Sequence, residues 1–438
     1  MDETTMMALG ALALEAATGA GASGAFAGVG RTRQVDLAVR GEALETVSES
    51  TSQSLVLEVW VDGRYATTRT TDLRPDEVAR LAREAVALAR ALQPDPSRAI
   101  PDPSLFAGRA ELDLELADAS IPALSHADRE ALCRAASAPI LGQAGLISTT
   151  SACSDGEGLS VQLSSNGFSG SHRRTWLWLS SEVTLQDAAG RPEGWMSAGG
   201  PHRSQLPAPA EIGAEALKRA RDRLGSRKGP SGRTTLVVEA RVAGQILSRL
   251  LSPANGANVQ QGRSFWAGRL DQPAVSPALV VRDEPLLARM PGSRLFDGEG
   301  IRAATLPLIE GGALRNLYLD TTYARRLGMA PTTGSASNRV VQPGSRDLAA
   351  LVAGVEEGVL VSSWLGGNSD PTSGDFSLGM RGNLIRKGQL GEPVSEMNVT
   401  GNLLALFAGL AEVGSDPWPW GSTRCPSLVF EGVDTSGA

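Results

Sequence analysis

Leu55, Leu57, Val59 and Val61 fall at alternate positions, and the run stops at Asp62-Gly63 before a second β-rich stretch, Arg64–Thr71, begins. A period of two places all four apolar side chains on one face of a strand. Asp-Gly between two such runs is the chemistry of a two-residue type I′ turn, because both central positions need positive φ. A hairpin with one apolar face needs a second layer to cover it. The chain supplies one directly: after Pro75, the residues Val78, Leu81, Ala82, Ala85, Leu88 and Leu92 recur at helical spacing. The pattern therefore predicts an α+β fold in which helices pack on hairpin-built sheet.

The same reading extends along the chain. Residues 2–18 read as an Ala-rich helix, followed by a small-residue loop through Gly30 and strands at 33–39 and 43–50. Pro94, Pro96, Pro101 and Pro103 mark a loop. A helix at about 125–137 precedes strands near 145–152 and 159–165, a second hairpin turn at Asn166-Gly167, and a Trp- and Ser-rich ribbon reaching Trp195. A helix near 209–225 ends in the polar, Gly/Pro-rich stretch Leu224–Gly232, the expected domain boundary. Two domains are thus expected, an N-terminal α/β domain with hairpins over 1–228 and a β-rich C-terminal domain over 229–438. The second would open with the strand Thr234–Val238 and a helix at about 241–251, with further helices near 321–327, 346–353 and 400–410.

Charge and cysteine usage narrow the function classes. Lys and Arg number 41 against 48 Asp and Glu, a formal net charge of −7 without acidic or basic blocks, so no nucleic-acid partner is expected. Cys133, Cys153 and Cys425 are far apart and form no disulfide framework, which fits a reducing compartment. The first residues lack the basic segment of a signal peptide, and Glu15 interrupts the apolar run, so a cytoplasmic protein without a membrane span is expected.

Few motifs carry chemistry. Gly19-Ala20-Gly21-Ala22-Ser23-Gly24 matches GxGxxG in form, but a helix precedes it where a dinucleotide site needs a strand, so it reads as a linker. No P-loop and no GxSxG elbow is present. His126, His172 and His202 are dispersed without metal-ligand spacing, and Cys425 reads as a packing residue. The carboxylate pairs Asp297/Glu299 and Asp370/Asp375 sit in Gly-rich turns, where acids cap backbone amides more often than they transfer protons. These turns in the second half suit either barrel corners or a peptide laid on a sheet edge. The residues to watch there are Asp297, Glu299, Gly300, Gly374, Asp375 and Asn402, with no catalytic role assigned to any.

In order along the chain, Leu295-Phe296-Asp297-Gly298-Glu299-Gly300, Pro307–Leu314, Leu319–Ala324, Ser373-Gly374-Asp375-Phe376-Ser377-Leu378-Gly379, Glu392–Glu396, Thr400–Leu404 and Val413–Asp416 resemble the TldD/TldE (PmbA) family, formerly called modulators of DNA gyrase. The resemblance covers most of residues 230–436 and, more weakly, the N-terminal hairpin and helix. It implies a cytoplasmic TldD–TldE heterodimeric metallopeptidase that trims or matures peptides, with a domain pair of TldD/PmbA type. Its catalytic subunit carries HExxxH on the first helix of the C-terminal domain and a cysteine near the C-terminus.

At the corresponding place this chain reads Glu239-Ala240-Arg241-Val242-Ala243-Gly244-Gln245-Ile246-Leu247-Ser248-Arg249-Leu250, with no histidine. Without two imidazoles one turn apart the helix cannot build that site, and Glu239 alone holds no zinc. Cys425 lies close to the terminal strand Ser427–Phe430, apart from the place expected of the family's cysteine. The resemblance therefore implies a TldE-like subunit without its own cofactor. A TldD-like partner would supply the zinc and an unstructured or precursor peptide would be the substrate, with a homodimer possible where the partner is absent. The alternative is a homodimeric peptide-binding or regulatory protein without protease activity.

Overall fold

The computed structural model describes residues 1–437 apart from Ala189. Its N-terminal part is built on one antiparallel six-stranded sheet. In spatial order the strands are Arg64–Thr70, Ala43–Val61, Gly24–Arg40, Leu146–Ser164, Ser169–Leu185 and Glu193–Gly200. At the Asp62-Gly63 turn φ is 49° and 73°, the paired positive values of a type I′ hairpin.

Two strands are longer than their composition suggests. Gly24–Gly30, expected as a loop, is the start of the Gly24–Arg40 strand. Its small residues reflect close packing. Ala25, Ala27 and Val29 are buried under the Glu3–Gly19 helix, and a Cβ on that helix's Gly10 would lie 2.6 Å from Leu163 Cδ1. Leu146–Ser164 is likewise one strand, where two strands near 145–152 and 159–165 were expected. There the buried Asp155 accepts a bidentate pair from the buried Arg129, at 2.5 and 2.8 Å, and Trp176 packs so close that a Cβ on Gly156 would collide with its ring. Both features depend on neighbouring strands and helices, so local composition misreads them.

One face of this sheet carries two helix pairs. Glu3–Gly19 and Pro75–Ala91 cover one end; His126–Ser137 and Pro209–Arg221 cover the other. Strand alternation sends Trp176, Trp178 and Trp195 to the opposite face, beside small or polar neighbours such as Gly156, Ser154 and Ser180. At one end of that face Phe26, Trp60 and Phe168 meet Phe296 of the C-terminal part.

The C-terminal part contains a seven-stranded sheet and a smaller five-stranded one. In the larger sheet, Leu428–Ser436, Gly232–Val238, Glu357–Ser369, Asp375–Arg386 and Gln389–Asn402 are neighbours in that order. The last returns to the first through Asn398–Ser436 and Val399–Thr435, so the five strands close on themselves. Closure removes edges, and Leu236, Val238, Val361, Leu378, Met380, Val399 and Phe430 join one large core with the helix Ala240–Leu251. That helix leaves the sheet at Glu239, and its position sets up the cleft described next.

Candidate functional site

Within Ala240–Leu251, the residues Val242, Ala243, Ile246, Leu247, Leu250 and Leu251 form the buried stripe. The remaining stripe, Arg241, Gln245, Ser248, Arg249 and on to Ser252, faces an open cleft of about 670 Å3, a size that holds a small ligand or a peptide segment. Trp418, Trp420 and Gly421–Thr423 form one wall, with the two indoles edge to face at 4.9 Å. Trp195, half exposed on the edge strand Glu193–Gly200, stands beside Arg241.

Arginine dominates the cleft. The Arg241 guanidinium stacks 4.8 Å from the Trp195 ring centroid and donates to Trp195 O. Arg249 donates to Ser369 Oγ at 3.1 Å, and Arg339 to Ser248 Oγ at 3.3 Å. Burial, then the neighbouring Arg219, lowers Arg241 to about 10, so it stays charged at neutral pH. No carboxylate lines the cleft among the described residues. The adjacent Glu239 is held by Arg219 at 2.5 and 3.2 Å. Arg223 and Arg241 also donate to the carbonyls of Glu193 and Trp195, occupying part of the sheet edge that a peptide strand could otherwise extend.

The residues expected from sequence fall into two groups elsewhere. Asp297 is buried and accepts from Glu299 N, Ile301 N, Thr333 Oγ1 and Gly334 N, at 2.9 to 3.1 Å. Glu299 accepts from Thr321 N and Thr321 Oγ1, and burial pushes its carboxyl up to about 7. Gly300, at φ 81°, lies against Phe168. In the second group, Asn402 Nδ2 donates to Ser373 O and to Asp375 Oδ1, while Asn402 Oδ1 accepts from Leu404 N. The Asn402 and Ser373 side-chain bonds hold Asp375 below its usual value. Gly374, at φ 86°, makes the turn between them. Neither group lines the cleft.

The histidines stay apart as well. His126 is 3.7 Å from Glu49, His202 is 3.8 Å from Asp118, and His172 Nε2 is 2.6 Å from Arg174. Sequence reasoning passed over the cleft. It treated 241–249 only as a helix without histidine, and nothing along the chain links that helix to Trp195 or Trp418. The available signal was a polar stripe at 3.6-residue spacing with two arginines and no acid.

Comparison with known proteins places this architecture. Residues 231–437 match the PmbA/TldA metallopeptidase C-terminal domain, 27–89 match domain 1, and 119–224 match the central domain of the same family. A solved structure from Bacteroides thetaiotaomicron, provisionally named a modulator of DNA gyrase, is 35% identical, with a TM-score of 0.95 and 100% of both chains covered. The chain belongs to the PmbA/TldD metallopeptidase family. "Metalloprotease PmbA" of Escherichia coli O157:H7 is 26% identical over 430 residues, 97% of this chain and 94% of that protein. TldE from Thermococcus kodakarensis shares the fold at 18% identity, with a TM-score of 0.83 over 99% of this chain and 100% of that one.

A metallopeptidase family implies a metal, and the donors around this helix do not fit one. Guanidiniums cannot ligate, and Gln245 and Ser248 offer only neutral oxygens. Cys425 lies nearer the helix than its place beside the terminal strand suggests. A Cβ on Gly244 would meet Thr423 at 3.3 Å and Cys425 at 4.0 Å. Its thiol is buried, bonds to Pro426 O, and is pushed well above the usual range by burial, so it is no ready thiolate. No group of three or more His, Cys, Asp or Glu among the described residues could hold a metal ion.

Proposed function

We propose that this chain is the TldE-like, non-catalytic subunit of a cytoplasmic TldD/TldE heterodimeric peptidase that degrades or matures peptides. A TldD-like partner supplies the zinc site. This chain closes the chamber around it and helps position an extended peptide. One observation carries the reading. Where a hydrolytic helix of this family would present imidazoles, the cleft-facing stripe presents Arg241, Gln245, Ser248 and Arg249 beside a cysteine buried as a neutral thiol. Such a surface holds and orients peptide and does not activate water. No helix among the described residues is long and apolar enough to cross a membrane.

The test is metal content and peptidase activity of the purified chain, alone and mixed with a TldD-like homologue bearing HExxxH. A metal-free, inert chain that becomes part of an active, stoichiometric complex is the expected result. Zinc bound in stoichiometric amount by the lone chain, or cleavage by it alone, overturns the reading.

A further inference from the structure

We infer that the cleft along Ala240–Leu251 binds an acidic segment of extended peptide, with carboxylates about four residues apart paired to Arg241 and Arg249. The inference takes its occupant's class from the peptide-positioning role proposed above, and adds a site and a sequence preference.

The first support is charge. Arg241 and Arg249 are committed to neutral partners, a carbonyl with an indole face and a serine hydroxyl. Among the described residues neither forms a salt bridge, and Glu239, the acid nearest in sequence to Arg241, is paired with Arg219 instead. In a chain of net charge −7, an acid-free cleft holding two such guanidiniums is electrostatically complementary to an anion.

The second support is spacing. Eight residues along a helix advance about 12 Å. Arg241 stacks on Trp195 and Arg249 donates to Ser369, so the two guanidiniums are anchored on different partners. An extended peptide advances about 13 Å in four residues, and residues four apart point to the same side. The two periods therefore match, one acid to each arginine. Gln245 and Ser248, between the arginines, offer hydrogen-bonding groups for the peptide backbone. Trp418 and Trp420 give the intervening side chains an apolar wall. One of the two carboxylates could equally be the peptide's C-terminus, and that is a question of source within the same chemistry.

The test uses the full-length chain and short fluorescent peptides, read by anisotropy. A peptide with glutamates at positions one and five is expected to bind, and to weaken at least about tenfold when both become glutamine. Moving the second glutamate to the adjacent position, which turns it to the other side, is expected to cause a similar loss. Arg249→Gln and Arg241→Gln should each weaken the acidic peptide about tenfold and leave the glutamine peptide unchanged. Arg269→Gln, an exposed position outside the cleft, serves as the equal-charge control. Comparing amidated with free C-termini assigns the carboxylate source, and either assignment supports the site.

Equal binding of acidic and glutamine peptides, insensitivity to both cleft variants, or phosphate binding with no peptide preference overturns the inference. The two proposals fail separately. Loss of acid-dependent binding with an active mixed complex sinks only this one. Acid-dependent binding by a chain that never forms an active complex sinks only the subunit role.

Discussion

The Asp297–Gly300 turn and the exposed stripe of the Ala240–Leu251 helix both concentrate charge, and they dispose of it in opposite ways. In the turn, Asp297 accepts four hydrogen bonds and Glu299 two more, all from within the chain. On the helix, the half-buried Arg241 and Arg249 line the cleft and hydrogen-bond only to neutral partners. A carboxylate saturated by backbone amides is held in place and has little capacity left for a ligand. An arginine without a counterion retains most of its binding capacity. The turn that stands out in the sequence therefore works as a brace within the C-terminal part, and the inconspicuous helix faces the cleft.

Breaking that brace gives the largest expected effect. Asp297→Ala orphans the buried Ile301 N and three part-buried donors and is expected to cost about 3 kcal/mol in denaturant unfolding. A loss no larger than that of an ordinary surface change would erase the contrast with the helix. Gly300→Ala comes next. It forces a side chain at φ 81° with a Cβ 2.9 Å from Phe168 Cδ2, at a cost of about 2 kcal/mol.

The third effect is a pH slope. Burial raises the Glu299 carboxyl from 4.5 to about 7 in the folded chain. The folded state thus binds its proton more tightly than the unfolded state. The resulting stabilisation is fully present below pH 4.5 and is lost as pH rises toward 7. Between about pH 5 and about pH 8 the native chain should lose more unfolding free energy than Glu299→Gln, which has no such proton. Parallel pH curves for the two proteins would show that Glu299 titrates as it does in the unfolded chain. The smallest effect belongs to the cleft: Arg249→Gln is expected to change stability by less than about 0.5 kcal/mol. A large destabilisation there would mean that the arginine is structural after all.

Much of the fold was legible because its signals are local. Asp62-Gly63 needs only its own backbone to turn, and Pro75–Ala91 needs only its own periodicity. Gly24–Gly30 was misread because small residues look alike in a loop and under a tightly packed helix, and only the approach of Gly10 to Leu163 separates the two. The Leu146–Ser164 strand was expected as two, and it runs unbroken because Arg129 pairs with Asp155 and Trp176 packs against Gly156. For the candidate site, the missing imidazoles between 239 and 250 are visible in the chain itself, but the cleft is not. Its walls come from residues 369, 418 and 420–423, and spacing along the chain carries no trace of that meeting.

The sequence by itself determined the α+β character, the hairpins, the helix faces and the family resemblance. These follow from backbone preferences and from alternations of two and 3.6 residues, which each segment expresses alone. Only the tertiary structure decided which charges are satisfied and which are free. A carboxylate or guanidinium acquires its role from partners that arrive from distant segments. Folding brought four hydrogen-bond donors to Asp297, and left Arg241 and Arg249 without a salt bridge by giving the nearby Glu239 to Arg219.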